Sequence, residues 1–233
     1  MPVVTQWIDI DTDDGQPFQG YLGIPRAGRG PAVLIVQEIF GVNPHIQSVV
    51  EQYALDGYVA LAPDLFWRHA PRLELRYVEP DRSKALALLK QTDVGLALSD
   101  LEAAARTLRA RGEVDGKLAS IGFCFGGLLS YLLAARHSVD MAVSYYGGGI
   151  QNKLDELHNI AVPLQMHFGE NDTSIPLAAV EHIQQACAGQ QQVELHRYPG
   201  AGHGFNCTDR AAYDQHAAVA ARSRTLAFLA ANA

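Results

Sequence analysis

Near the middle of the chain the apolar run "KLASIGF" passes into Gly-Phe-Cys-Phe-Gly, with Cys124 between Gly122 and Gly126. A thiol at a sharp turn between a strand and a helix can act as a nucleophile. The flanking glycines leave room for a strained backbone, and the amino end of the next helix favours thiolate, the reactive form. A cysteine between glycines can equally be a small buried residue, so the reading depends on its partners. Two candidates lie further on: Asp172 in "GENDTSIP" and His203 in "YPGAGHGF". An imidazole can take the thiol proton, and a carboxylate can orient the imidazole and stabilise its cation.

These three residues need elements to position them. "AVLIVQE" (32–38), "YVALAPD" (58–64), "KLASIGF", "MAVSYYG", "PLQMHFG" and "VELHRYPG" (193–200) are strand candidates, and "MPVVTQWIDI" reads as a further strand. Helical patterns cover 46–55, 83–109, 127–136, 177–186 and 210–231. Such alternation predicts an α/β fold with a mostly parallel central sheet and helices on both faces, in one domain over residues 1–233. Ligands of these sheets sit at the carboxyl ends of strands. Glu38, Cys124, Asp172 and His203 each stand just past a strand candidate. Cysteine, acid and histidine follow the chain order of an α/β-hydrolase triad, a stronger signal than the elbow alone. Asp172 could instead cap the helix beginning near Pro176, and His203 could be an ordinary loop histidine. The other eight histidines are read as structural, Cys187 as core, and Cys207 as lining the site without reacting.

Composition narrows the classes. With 233 residues, 48% hydrophobic and 18% charged, the chain can build one sizeable core. A net charge of −7 speaks against a nucleic-acid partner. No stretch of about 18 apolar residues predicts a membrane span. Three cysteines without a C-x-x-C pair suggest neither a disulfide framework nor a zinc site. Free thiols and the absence of a targeting pattern at the start point to a reducing cytoplasm.

"VQEIFGVN", "GYVALAPDLF", the Gly-x-Cys-x-Gly turn, "SYYGGGI", "GENDTSIP" and "YPGAGHGF" run across nearly the whole sequence. Together they resemble the dienelactone hydrolase (carboxymethylenebutenolidase) family. The resemblance implies an α/β-hydrolase fold without a substantial cap domain. It implies a monomer, with no metal or organic cofactor, that opens carboxylate-bearing enol lactones to maleylacetate in the breakdown of (chloro)aromatic compounds. Glu38 would be a further catalytic residue. It would keep the resting cysteine a thiol turned away from His203, then take its proton when a substrate carboxylate arrives. Backbone N–H groups of Ile39 and Phe125 would form the oxyanion hole. Arg82 matches one of two substrate-binding arginines in position. The second lies four residues after the histidine, where this chain has Cys207, and a thiol cannot make the forked contact of a guanidinium. Leu86 and Leu89 replace aromatic residues of the family, so the site is expected to be more apolar.

Other readings stay open. One is a general carboxylesterase or thioesterase on the same scaffold. Another is a non-enzymatic small-molecule receptor, since fold does not settle function. A third is a redox-sensing thiol with Cys207 as its resolving partner.

Overall fold

The computed structural model describes residues 3–233. The strands are β1 (Val4–Ile10), β2 (Phe18–Ile24), β3 (Gly30–Val36), β4 (Val59–Pro63), β5 (Val114–Phe123), β6 (Met141–Tyr145), β7 (Leu164–Gly169) and β8 (Val193–Tyr198). The helices are α1 (Pro44–Leu55), α2 (Asp81–Gln91), α3 (Val94–Arg109), α4 (Phe125–Ala135), α5 (Leu177–Ala186) and α6 (Gln215–Asn232). The fold is α/β, with an eight-stranded, mostly parallel sheet. The chain forms two compact units, Met1–Ala119 and Ser120–Ala233.

In the first unit the strands lie in the order β1-β2-β4-β3. β1 and β2 pair antiparallel, as do β2 and β4, while β3 and β4 run parallel with Leu34 opposite Leu61. β3 and β4 are buried on both faces, which explains why their sequences are runs of apolar residues rather than alternations. β2 was not expected from the sequence. Its "FQGYLGI" is broken by two glycines, yet Gly23 is what lets α1 approach: a Cβ there would stand 2.9 Å from Val50 Cγ1. α1 begins at Pro44 because Asn43 caps it, accepting from Ile46 N–H at 3.2 Å.

The helix expected over 83–109 is two helices, α2 and α3. The break has a local cause. Asp93 turns its carboxylate onto Leu96 N–H at 3.0 Å and starts α3, and Thr92 Oγ1 donates back to Leu88 O at 2.9 Å to close α2. α3 then buries Ala97, Leu98, Leu101, Ala104, Ala105 and Leu108 along one stripe, whereas α2 buries only Ala85. The last helix is also shorter than expected, starting at Gln215 after Asp214 caps it through Ala217 N–H.

In the second unit the order is β5-β6-β7-β8. β6, β7 and β8 run parallel, with Tyr145 opposite His167 and His167 opposite His196. α4 is buried along almost its whole length. No helix among the described residues is long and apolar enough to cross a membrane.

The cap at Asp93 makes a test of the helix break. Asp93→Ala should cost about 1 kcal/mol and lower the thermal midpoint by about 2–4 °C for a chain of this length. Calorimetry on the two proteins measures it, and an unchanged midpoint would mean that α3 starts without the cap.

Candidate active site

Cys124 follows β5 and forms the N-cap of α4, with φ 54° and ψ −113°. This is a backbone conformation that residues with side chains rarely adopt. Its surroundings hold it there. Cys124 N–H donates to Tyr145 O at 3.0 Å, and Cys124 O accepts from Gly127 N–H at 2.9 Å and Leu128 N–H at 3.2 Å. The turn can be this tight only because neighbours lack side chains. A Cβ on Gly122 would collide with Gly126 O, and one on Gly127 would stand 2.7 Å from Tyr145 O. Helical bonding starts at Gly127 N–H, so Phe125 N–H, at the first position of α4, has no carbonyl to bond within the helix.

The second unit also brings Asp172 and His203 together with Cys124. His203 Nδ1–H donates to Asp172 Oδ2 at 2.7 Å, and Nε2–H points to Cys124 Sγ at 3.1 Å. The sulfur therefore faces the imidazole, rather than turning away as in the resting arrangement that the sequence resemblance implies. Asp172 is 4% exposed and divides its oxygens between two tasks. Oδ2 holds His203, while Oδ1 accepts from Ser174 N–H at 2.7 Å and Ile175 N–H at 2.9 Å. It organises the turn before α5 and orients the imidazole at once. One side chain thus makes both the bonds of a turn and a bond to the imidazole.

The charge state of His203 follows from these contacts. Burial works against the imidazolium, but the hydrogen bonds to Asp172 and Cys124 and the negative charge at both positions outweigh it. The pKa rises from the ordinary 6.5 to about 10. A cation next to a sulfur stabilises thiolate over thiol. The arrangement can thus hold a nucleophile ready, accept a tetrahedral oxyanion near the start of α4, and return a proton to a leaving group.

The other predicted residues fall as follows. Glu38 and Ile39 lie in the loop after β3, 1% and 7% exposed. That loop is fixed locally. Gln37 Oε1 accepts from Leu65 N–H, Gly41 (φ 80°) packs on Leu73 O, and Asn43 Nδ2 donates to Leu75 O. Glu38 is its only ionisable residue. Arg82 is exposed in the first turn of α2. Cys207 has no exposed surface and donates its N–H to Gly204 O, so it supports the turn behind His203 and is out of reach of a solute. Cys187 is half-buried at the end of α5, where burial pushes its thiol up to about 11, unsuited to a nucleophile. A cleft of about 580 Å³ lined by Glu181, Gln185, Cys187 and Leu195 contains no member of the Cys-His-Asp set.

Two neighbours of the set were not singled out in the sequence. The guanidinium of Arg210 lies across Gly204, where a Cβ would meet its Nε at 2.8 Å, and so brings a cation beside the residue that follows His203. Tyr146 packs its ring on the imidazole, with centroids 5.2 Å apart. A basic residue close after "GHGF" was a usable signal for the first. Nothing in "SYYGGGI" marks the second tyrosine over the first.

A mostly parallel α/β sheet with a strained cysteine turn after β5, an aspartate after β7 and a histidine after β8 has the architecture of an α/β-hydrolase. Comparison with known proteins agrees: the model of the dienelactone hydrolase family matches residues 18–233. The chain belongs to the dienelactone hydrolase family. It is 34% identical over 229 residues to carboxymethylenebutenolidase 1 of Cupriavidus pinatubonensis, covering 98% of this chain and 97% of that one. It is 35% identical over 229 residues to carboxymethylenebutenolidase of Pseudomonas putida, with the same coverage of 98% and 97%. Among solved structures, a Klebsiella pneumoniae protein described as a "Putative Dienelactone Hydrolase" superposes with a TM-score of 0.87 at 30% identity, over 99% of both chains.

The raised imidazole pKa has a sign that stability measurements can read. A group whose folded pKa exceeds its unfolded value stabilises fully below the unfolded value and loses that contribution as pH climbs through the folded one. For His203 the window runs from 6.5 to about 10. The gap in thermal midpoint between wild type and His203→Gln should therefore shrink across this window at constant ionic strength. A gap that stays constant would mean that His203 is neutral in the fold.

Proposed function

We propose that this protein opens carboxylate-bearing enol lactones, converting dienelactone to maleylacetate through a Cys-His-Asp triad and a thioester acyl-enzyme. One observation carries the chemistry: His203 lies 2.7 Å from Asp172 and 3.1 Å from the sulfur of Cys124, which itself sits on a strained turn. The substrate class comes from the relatives named carboxymethylenebutenolidase. The match of the family model to residues 18–233 supports reading the chain as one hydrolase domain.

In this reading Cys124 thiolate attacks the lactone carbonyl. A C–S bond forms, and the charge moves to the carbonyl oxygen, stabilised by Phe125 N–H and Ile39 N–H. The oxyanion collapses, the ring C–O bond breaks, and the enolate leaves while still tethered to the acyl group. The tethered enolate can itself accept a proton from the water that hydrolyses the thioester. Glu38, buried after β3, takes the thiol proton when the substrate arrives at a resting arrangement with the sulfur turned away from His203, because two like charges in a dry site are costly. The sulfur then swings to the imidazole, the position seen 3.1 Å from His203. Arg82 holds the substrate carboxylate.

A second reading, a general esterase, is favoured by one observation. Cys207 stands where the resemblance expects an arginine, and it is fully buried. Installing the guanidinium there is not a simple restoration, since burying an unpaired charge destabilises.

Cys124→Ala should abolish turnover in a folded protein, and Cys124→Ser should be poor, because a hydroxyl is far less acidic than a thiol. His203→Ala should lose more than Asp172→Asn in stopped-flow acylation, with losses on the order of two to four powers of ten. An active Cys124→Ala variant would end the nucleophile assignment. Arg82→Ala separates the two substrate readings. If Arg82 binds the carboxylate, kcat/KM should fall about tenfold to a hundredfold for dienelactone and hardly change for a neutral enol ester. Equal losses on both substrates would favour the general esterase. For Glu38, the rate of iodoacetamide labelling at Cys124 should respond to a carboxylate ligand in wild type and not in Glu38→Gln. Identical rates in both proteins would make Glu38 structural.

A further inference from the structure

The residue after β6, Tyr146, is completely buried and has φ 39°. A positive φ is rare for a bulky aromatic residue and costs free energy, so something must hold it and something must be gained. What holds it is visible. Tyr146 N–H donates to His167 O at 2.7 Å. The preceding residue, Tyr145, is pinned from its other side: its phenol shares a hydrogen bond with Thr225 Oγ1 at 2.7 Å, and its ring lies 4.5 Å from that of His167. Thr225 Oγ1 also lies 3.1 Å from His167 Nε2.

What the strain achieves is visible too. The two tyrosines of one dipeptide touch both reacting partners. Tyr145 O accepts from Cys124 N–H at 3.0 Å and so fixes the nucleophile's backbone. The Tyr146 ring meets the His203 ring edge-on, at 5.2 Å and 61°, and meets Phe205, from the same loop as His203, at 5.4 Å and 75°. With an ordinary negative φ at Tyr146 the chain would leave β6 in another direction and the ring would not reach the imidazole. An imidazole held by Asp172 at one nitrogen can still swing about that bond. A wall against its face limits the swing.

We propose that Tyr146 is a positioning residue whose ring sets the His203 imidazole onto Cys124, with the Tyr145–Tyr146 dipeptide acting as the spacer between base and nucleophile. This rests on the reading of Cys124 as the acylated nucleophile. Because the ring acts on geometry and not on substrate, its loss should appear in the acylation rate and not in binding. A misplacement near 1 Å costs about a hundredfold in rate.

The experiment is pre-steady-state acylation by p-nitrophenyl acetate, with mass spectrometry to locate the acyl group, in wild type, Cys124→Ala, Tyr146→Leu and Tyr146→Phe. Tyr146→Leu should acylate about tenfold to a hundredfold more slowly, with KM within about threefold of wild type. Tyr146→Phe, which keeps the wall, should recover to within about threefold. Should Tyr146→Leu not fold, Tyr146→Gly decides by the same comparison, since glycine accepts the positive φ. A folded Leu or Gly variant that acylates at the wild-type rate overturns the inference, as does a Phe variant as slow as Leu. Absence of an acyl group on Cys124 in wild type would instead defeat the functional reading, and the inference with it.

Discussion

The site depends on a backbone conformation at a single residue. Cys124 sits at φ 54°, ψ −113°, a strain on the order of 1–3 kcal/mol that persists only where the surroundings over-determine it. Here they do so through hydrogen bonds at both its N–H and its C=O, with β6 and α4 supplying the partners, and through close approaches that Gly122 and Gly127 alone permit. The direction of the sulfur is therefore a property of the strand-helix junction rather than of a rotamer.

Once the sulfur is aimed, electrostatics completes the set. The imidazole is buried, which alone would make it a poor cation. Asp172 on one side and Cys124 on the other reverse that and hold the proton on His203 well above neutrality. The contrast with His167 is instructive. It is also buried, but its hydrogen-bond partners are Tyr198, Gln165 and Thr225, none of them a carboxylate, and its pKa falls far below the ordinary value through burial and then through the charges of His196 and Arg224. Two buried histidines on one scaffold thus shift in opposite directions: His203 is raised by a carboxylate and a sulfur, and His167, with no such partner, is lowered by burial and by nearby positive charge.

Much of this was readable from residue order. Cys124, Asp172 and His203 each follow an apolar run, and runs buried on both faces, such as β3, β4 and β7, advertise themselves. β2 hid because its glycines serve close packing on α1 and interrupt the pattern of a strand. The break between α2 and α3 carried a signal, an aspartate followed by a glycine two residues on, but the apolar periodicity on either side masked it. The burial of Cys207 and the contact of Tyr146 with His203 had no sequence signal. Both depend on how a loop folds back, and a positive φ next to three glycines would be assigned to a glycine first.

The double use of Asp172 constrains how this site can change over evolutionary time. The elbow backbone can accept serine as readily as cysteine, at a cost in reactivity, since the strain at that position belongs to the backbone. The place of Asp172 is less forgiving. Glutamate would carry both oxygens one methylene further out, so that no single placement could serve the turn before α5 and the imidazole together. A lineage descending from this chain can drift in its chemistry at the elbow long before it can drift in the identity of its acid, and relatives that differ should differ there in that order.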